Sequence, residues 1–261
     1  MATNNGYHTV CTGNAAETAE NHRAADDTTE FELFGACFCP FVQRVWIQLE
    51  LLDINYIYRE VDPYAKPAEL LVDNPKGLVP CMQHYFDNQT FRITESTVIM
   101  DYVEDVHSAL YKDKTPQQKA IVRLRAYFVN NTFVPSFYRF LQATTPEGQV
   151  EHGKAFADNL GKLLSWADSE GPFFMGLQLG YLDVLVAPWL LRIRRVLKPY
   201  RDFDVSSPRY VKWIDALESH AAVAATISTD DLYLDSYKRY AENRPNTSQV
   251  ANAINAGHAL P

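Results

Sequence analysis

The 261-residue chain is poor in cysteine, in basic charge and in long apolar runs, and each shortage narrows what it can be. Its four cysteines, Cys11, Cys37, Cys39 and Cys81, are too few for a disulfide framework. Two of them stand one residue apart, a usage that points to a reducing compartment. Lys and Arg number 24 against 32 Asp and Glu, a formal net charge of −8. Without a basic block the chain is a poor candidate for tracking phosphate backbones, and no nucleic-acid partner is expected. The longest apolar run, YLDVLVAPWLL, carries an Asp and a Pro. It falls short of the roughly 20 residues that span a bilayer. The first thirty residues lack the basic and apolar regions of a secretory signal. A soluble cytoplasmic protein without membrane association is expected.

What is present reads as two domains with polar ends. Hydrophobic residues at 47% and charged residues at 21% are ordinary for a globular protein. The length suits two small domains. Residues 1–29 lack the apolar density to bury a core and read as a disordered or surface-draped arm; residues 241–261 read as a polar tail. FELFG is a short strand. After Pro40, Val42, Val45, Trp46, Leu49 and Leu52 recur at helical spacing, and proline suits a first helical turn. INYIYREV reads as a strand, KPAELLVDN as a short helix, GLVPCMQHYFDNQTFRITES as a hairpin and STVIMDYVEDVH as a helix. The order β-α-β-α-β-β-α makes residues 30–107 an α/β domain of mixed strand direction. A linker at 108–114 follows. Residues 115–240 read as all-helical, with Thr115 as an N-cap ahead of Pro116, a stop at Gly171-Pro172, a buried helix from Tyr181, and Ser207 capping ahead of Pro208.

The segment FGACFCPFVQRVWIQLE carries the chemistry. A metal site at Cys37 and Cys39 needs two further ligands at ligand spacing, and none is evident. A dithiol oxidoreductase places its second thiol three residues after the first, but that position is Val42. Two readings of Cys39 stay open. It is a reactive thiol at a strand-to-helix junction, where free N–H groups and the helix dipole favour an anion, or it is a small buried hydrophobe. Cys37 and Cys81 read as packing residues and Cys11 as incidental.

FCPFVQRVWI resembles the active-site segment of the cysteine-type glutathione transferases of the omega and lambda classes. KPAELLVDNPKGLVP is similar to that family's second helix and loop, ITES to its glutathione-binding turn, and LDVLVAPWLLRI to its buried central helix. The resemblance covers about residues 31–240. It implies a thioredoxin-like α/β domain, an all-α C-terminal domain and a homodimer. It also implies glutathione as a co-substrate with no permanently bound cofactor and no metal. On this resemblance Cys39 is the catalytic thiol. Phe41, Lys66, Leu78, Val79, Pro80, Glu95 and Ser96 bind glutathione, and the Val79–Pro80 bond is cis. Val79 pairs with the cysteinyl backbone as an added strand would. Glu95 and Ser96 hold the γ-glutamyl ammonium and carboxylate, and Lys66 reaches the glycyl carboxylate. Tyr127, Asn131, Phe137, Tyr138, Arg192 and Tyr237 are the candidates to line a pocket for a small hydrophobic or glutathionylated second substrate. The sequence departs from the family pattern at Gly180, where a Ser or Thr usually caps the central helix three residues before Asp183.

The implied reaction is thiol transfer from a glutathionylated substrate through a mixed disulfide on Cys39, extending to dehydroascorbate reduction. Conjugation is expected to be poor, because a cysteine bonds to the glutathione sulfur where Tyr or Ser would donate to it. The rival readings are a non-catalytic ligand carrier and a regulatory relative of the same fold. A membrane-inserting relative would need a convertible apolar first helix, whereas this one carries Gln43, Arg44, Gln48 and Glu50.

Overall fold

The computed structural model describes residues 7–112 and 114–261. Its α-carbon contacts divide the chain into two units. One holds the described residues up to Lys112 with Leu217–Tyr233; the other holds the described residues of Asp113–Ala216 with Leu234–Pro261. The first six residues of the arm and Asp113 of the linker lie outside the described residues.

The first unit is built on a four-stranded sheet of order β2-β1-β3-β4, with β1 Phe31–Gly35, β2 Tyr56–Glu60, β3 Cys81–Phe86 and β4 Gln89–Thr94. β1 runs parallel to β2 and antiparallel to β3, and β3 and β4 form the expected hairpin. The parallel pair needs a crossover, which is α2 Pro40–Leu51. α3 Ala68–Asp73 and α4 Ser96–His107 complete the unit's α/β pattern. Alternation along β1 separates two apolar layers. Phe34 packs with Val61, Leu70, Cys81 and Val79, while Phe31 and Leu33 are buried along with Val45 and Trp46 of α2 and Ile99 and Met100 of α4.

The arm is not loose within the described residues. It forms α1 Gly13–Asn21 and lies against β2, an edge strand, where the Tyr58 N–H donates to the His22 carbonyl at 2.7 Å. Pairing of this kind covers backbone groups that an edge would otherwise expose. The Cys11 N–H donates to the Glu60 carboxylate at 3.0 Å, and the Ala15 N–H to the Ile227 carbonyl at 3.2 Å. The segment 217–233, assigned from sequence to the helical domain, sits in this unit instead. Its short helix α11 Ala221–Ala224 packs on α2, and Gln43 Nε2 donates to the Thr226 carbonyl at 3.1 Å.

The second unit is helical: α5 Pro116–Phe128, α6 Val134–Gln142, α7 Pro146–Trp166, α8 Tyr181–Arg192, α9 Lys198–Arg201, α10 Pro208–Ser219, α12 Asp230–Ala241 and α13 Gln249–Asn255, of which α10 and α12 each give part of their length to the first unit. Thr115 caps α5 reciprocally with Gln118. Two π-helical turns, Val129–Phe133 and Ile193–Leu197, each end two residues before a proline, Pro135 and Pro199. A wider turn moves the carbonyl that the proline ring would strike, so the helix continues where the sequence suggests one uninterrupted run. α8 is buried along its whole length. Asp183 supplies the capping carboxylate that Gly180 cannot reciprocate: it accepts from the N–H groups of Gly180 at 3.0 Å and Phe174 at 2.8 Å, and from Trp213 Nε1 at 2.7 Å. The tail expected to be merely polar is anchored. Ser248 caps α13, Ala251 and Ile254 are buried, and Gln142 Nε2 donates to the Ala251 carbonyl at 3.2 Å.

Candidate active site

Strand register gathers the sequence-identified glutathione residues at one end of the sheet. Phe34 pairs with Cys81, and Cys81 with Thr94. The segments just beyond those residues, 36–39, 79–80 and 95–96, therefore emerge side by side. After β1 the Cys39 N–H closes a turn on the Ala36 carbonyl at 2.9 Å. Cys39 then becomes the N-cap of α2, in extended conformation, with Pro40 first in the helix, and its carbonyl accepts from Gln43 N at 3.1 Å. Its thiol is half-buried and lies 3.8 Å from the Val79 carbonyl oxygen, a distance suited to weak S–H donation. The Val79–Pro80 bond is cis.

The other thiols are buried and held protonated. Burial raises the pKa of Cys11 and of Cys37, and the Glu60 carboxylate raises both further. Cys81 is pushed up to about 11 by burial, with the negative charge of Asp73 adding to it. Cys37 donates to the His8 carbonyl at 3.6 Å, so the residue read as packing is also a contact of the arm. A thiol must ionise and be reached to act as a nucleophile. Cys39 differs from these three in exposure: it is half-buried where they are buried.

The loop before Pro80 is shaped by Asn74, which is buried. Its Nδ2 donates to the Leu78 carbonyl at 3.0 Å, and its carbonyl accepts from Gly77 N at 2.7 Å. Lys66 lies directly over Gly77, where a Cβ would come within 3.0 Å of Nζ. Lys66, Leu78 and Val79 are half-buried. Glu95 caps α4 at φ +71° with its side chain exposed, and Ser96, the first helical residue, is buried. The Ser96 hydroxyl accepts from Arg44 Nη1 at 3.2 Å. The Arg44 guanidinium also lies 5.4 Å from the centroid of the Phe41 ring. Arg44 and Asn74 were missed from sequence. A charged residue on an otherwise apolar helix was the available signal for Arg44, and from the sequence it counted only against a membrane-inserting helix.

The second-substrate candidates do not come together. Tyr127 is 68% exposed, and its carbonyl accepts from the Nδ2 of Asn131, which is also exposed. Phe137, Tyr138, Arg192 and Tyr237 are instead interior residues, at most 2% exposed. Phe137 packs edge-on to Tyr138, and Arg192 Nε donates to the Tyr237 hydroxyl at 2.7 Å. Fully buried side chains offer a ligand no surface, so for these four the pocket-lining expectation is corrected to packing. Among the described residues no His, Cys, Asp and Glu group is arranged to hold a metal ion, and no helix is long and apolar enough to cross a membrane.

Residues 38–106 match the family described as glutathione S-transferase, N-terminal domain. The crystal structure of glutathione transferase Omega 3C from Trametes versicolor is 35% identical, covers 90% of this chain and 98% of its own, and superposes with a TM-score of 0.79. Glutathione S-transferase U17 of Arabidopsis thaliana is 27% identical over 75% of this chain and 89% of its own length. Glutathione S-transferase omega-1 of Sus scrofa is 25% identical over 72% and 76%. With the sheet order, the half-buried thiol at a helix start and the Glu95–Ser96 turn already in place, these likenesses settle the family: the chain belongs to the glutathione S-transferases and is of the omega type.

Proposed function

We propose that the chain is a glutathione-dependent thiol transferase with Cys39 as its single catalytic nucleophile. The observation that carries this reading is the contrast in access among the thiols: Cys11, Cys37 and Cys81 are buried, while Cys39 is half-buried at the N-cap of α2. The Cys39 thiolate attacks the glutathionyl sulfur of a mixed disulfide RS–SG. The Cys39–SG bond forms, the RS–SG bond breaks, and RS⁻ leaves with the electron pair. A second glutathione thiolate attacks the same glutathionyl sulfur, releasing glutathione disulfide and restoring the Cys39 thiolate. Val42 occupies the place of a resolving thiol, so the resolving thiol comes from solution and the kinetics are ping-pong.

Glutathione is seated with its cysteinyl backbone against Val79, its glycyl carboxylate at Lys66, and its γ-glutamyl group at Glu95 and Ser96, with Phe41, Leu78 and Pro80 framing the thiol. Of the second-substrate candidates, Tyr127 and Asn131 remain as exposed positions. The test is turnover of hydroxyethyl disulfide, dehydroascorbate and a glutathionyl-phenacyl compound by wild type and Cys39→Ser. The variant is expected to lose all three reactions, and mass spectrometry after glutathione disulfide treatment should place the adduct on Cys39. Undiminished turnover in Cys39→Ser, or an adduct confined to Cys11 or Cys81, would sink the mechanism.

A further inference from the structure

Arg44 is 1% exposed, an unusual position for a permanent cation, and it lies between two of the residues assigned to glutathione. Its Nη1 donates to Ser96 Oγ, and its guanidinium stands against the Phe41 ring. One helical turn further along α2, Gln48 Nε2 donates to the Met100 carbonyl at 3.0 Å. Arg44 and Gln48 thus lie along the face of α2 that meets α4, and they fix the start of α4 from behind.

The direction of the Arg44–Ser96 bond has a chemical consequence. A guanidinium only donates, so the Ser96 oxygen must be the acceptor. That occupies one lone pair and directs the hydroxyl hydrogen elsewhere, toward an acceptor. We propose that Arg44 is a positioning and specificity residue of the γ-glutamyl subsite. It orients the Ser96 hydroxyl as a donor and places a buried positive charge behind the first turn of α4. The α-carboxylate of the γ-glutamyl group then seats at Ser96, while the α-ammonium is directed to the exposed carboxylate of Glu95. Without Arg44, Ser96 could accept as readily as donate, and the two ends of the amino acid would be poorly told apart. The inference rests on the assignment of Glu95 and Ser96 to the γ-glutamyl group. It goes beyond that assignment by naming the group that sets the subsite's polarity.

The experiment compares the affinity of the full-length protein for glutathione and for γ-aminobutyryl-cysteinylglycine, which lacks only the α-carboxylate. Calorimetric titration under reducing conditions reads both, and Tm monitors folding. Arg44→Gln is expected to weaken glutathione roughly tenfold or more, the size of a buried charge interaction at a few ångströms, and to leave the analogue within about twofold. Equal losses for both ligands, with glutathione binding still dependent on Ser96, would make Arg44 purely structural and overturn the proposal alone. Unchanged glutathione affinity in Ser96→Ala and Glu95→Gln overturns the subsite placement and the proposal with it. If Arg44→Gln does not fold, Arg44→Lys carries the test. Its effect on glutathione affinity should be present with Ser96 and vanish in the Ser96→Ala background, whereas additive effects count against an action through Ser96.

Discussion

At Gly77 one methyl group decides the shape of the loop that faces Cys39. Its φ is +61°, and a Cβ would lie 2.6 Å from Lys66 Cδ. Gly77→Ala meets a backbone penalty of about 1–2 kcal/mol and must also displace Lys66. A lower Tm together with a raised KM for glutathione is expected; an unchanged KM would separate Lys66 from the glycyl carboxylate. Asp183 offers a second prediction. Burial pushes its pKa up to about 6, against the pull of the Phe174 and Gly180 N–H groups and the Trp213 indole. The folded value lies above the ordinary 3.8, so the stability that its protonated form contributes is full below about pH 4 and is lost as pH rises through 6. Asp183→Ala should flatten that slope in a Tm-against-pH series. It should also cost on the order of 3–5 kcal/mol, because it leaves three N–H donors without their acceptor.

The elements were legible where burial follows one stripe and obscure where partners come from elsewhere in the chain. The strand order's ingredients, the hairpin and the Thr115 cap follow from spacing and turn chemistry. On α2, Val42, Val45, Trp46 and Leu49 announced one buried face, yet Gln43, Arg44 and Gln48 are buried too. Their partners, Thr226, Ser96 and Met100, lie between 52 and 183 residues away in sequence, so no local pattern reveals them. The aromatic residues of the second unit failed for the opposite reason: a Tyr or Phe at helical spacing looks the same in a core as beside an opening. The arm was obscure because its anchors, among them the Ile227 and Tyr56 carbonyls and the Glu50 and Glu60 carboxylates, lie far from it in sequence. His22 Nδ1 faces the Tyr56 carbonyl at 3.0 Å, its Nε2 faces Glu50 at 3.3 Å, and its ring stacks on Tyr56 at 3.8 Å. Burial opposes its charge, but the bonds to Glu50 and to the Tyr56 carbonyl outweigh that, aided by the charges of Glu50 and Asp53, and its pKa is raised. Burial likewise opposes ionisation of Glu50, but bonds from His22 and the Tyr56 hydroxyl outweigh it, and its pKa is lowered. The pair therefore stabilises fully between the ordinary values of 4.5 and 6.5 and fades as pH rises through the folded value of His22. Amide exchange in α1 should accelerate from pH 6 to 9 beyond its intrinsic rate, and His22→Ala should abolish that excess. Equal pH profiles in the two proteins would detach His22 from the anchoring.

At the scale of the whole molecule, the homodimer that the resemblance implies would need a surface to bury. The sheet unit leaves Phe86, Phe91, Val98 and Val106 exposed along the β3–β4 hairpin and α4. Exposed apolar groups clustered on neighbouring elements are the usual mark of an association face. Phe91→Glu with Val98→Glu is expected to shift the mass measured by light scattering to that of one chain with little change in Tm. A variant that remains a dimer would assign the contact to another face.

The first unit is also discontinuous: it is completed by Leu217–Tyr233, which anchors both α1 and Gln43. During synthesis the ribosome must therefore deliver more than two hundred residues before Gln43 of α2 meets Thr226, and before Ala15 of α1 meets Ile227. The Cys39 end of α2 is made early but finished late. A nascent chain halted at Lys112 carries the thiol, the cis-proline loop and the Ser96 turn, yet lacks the segment that holds their supporting helix from the far side.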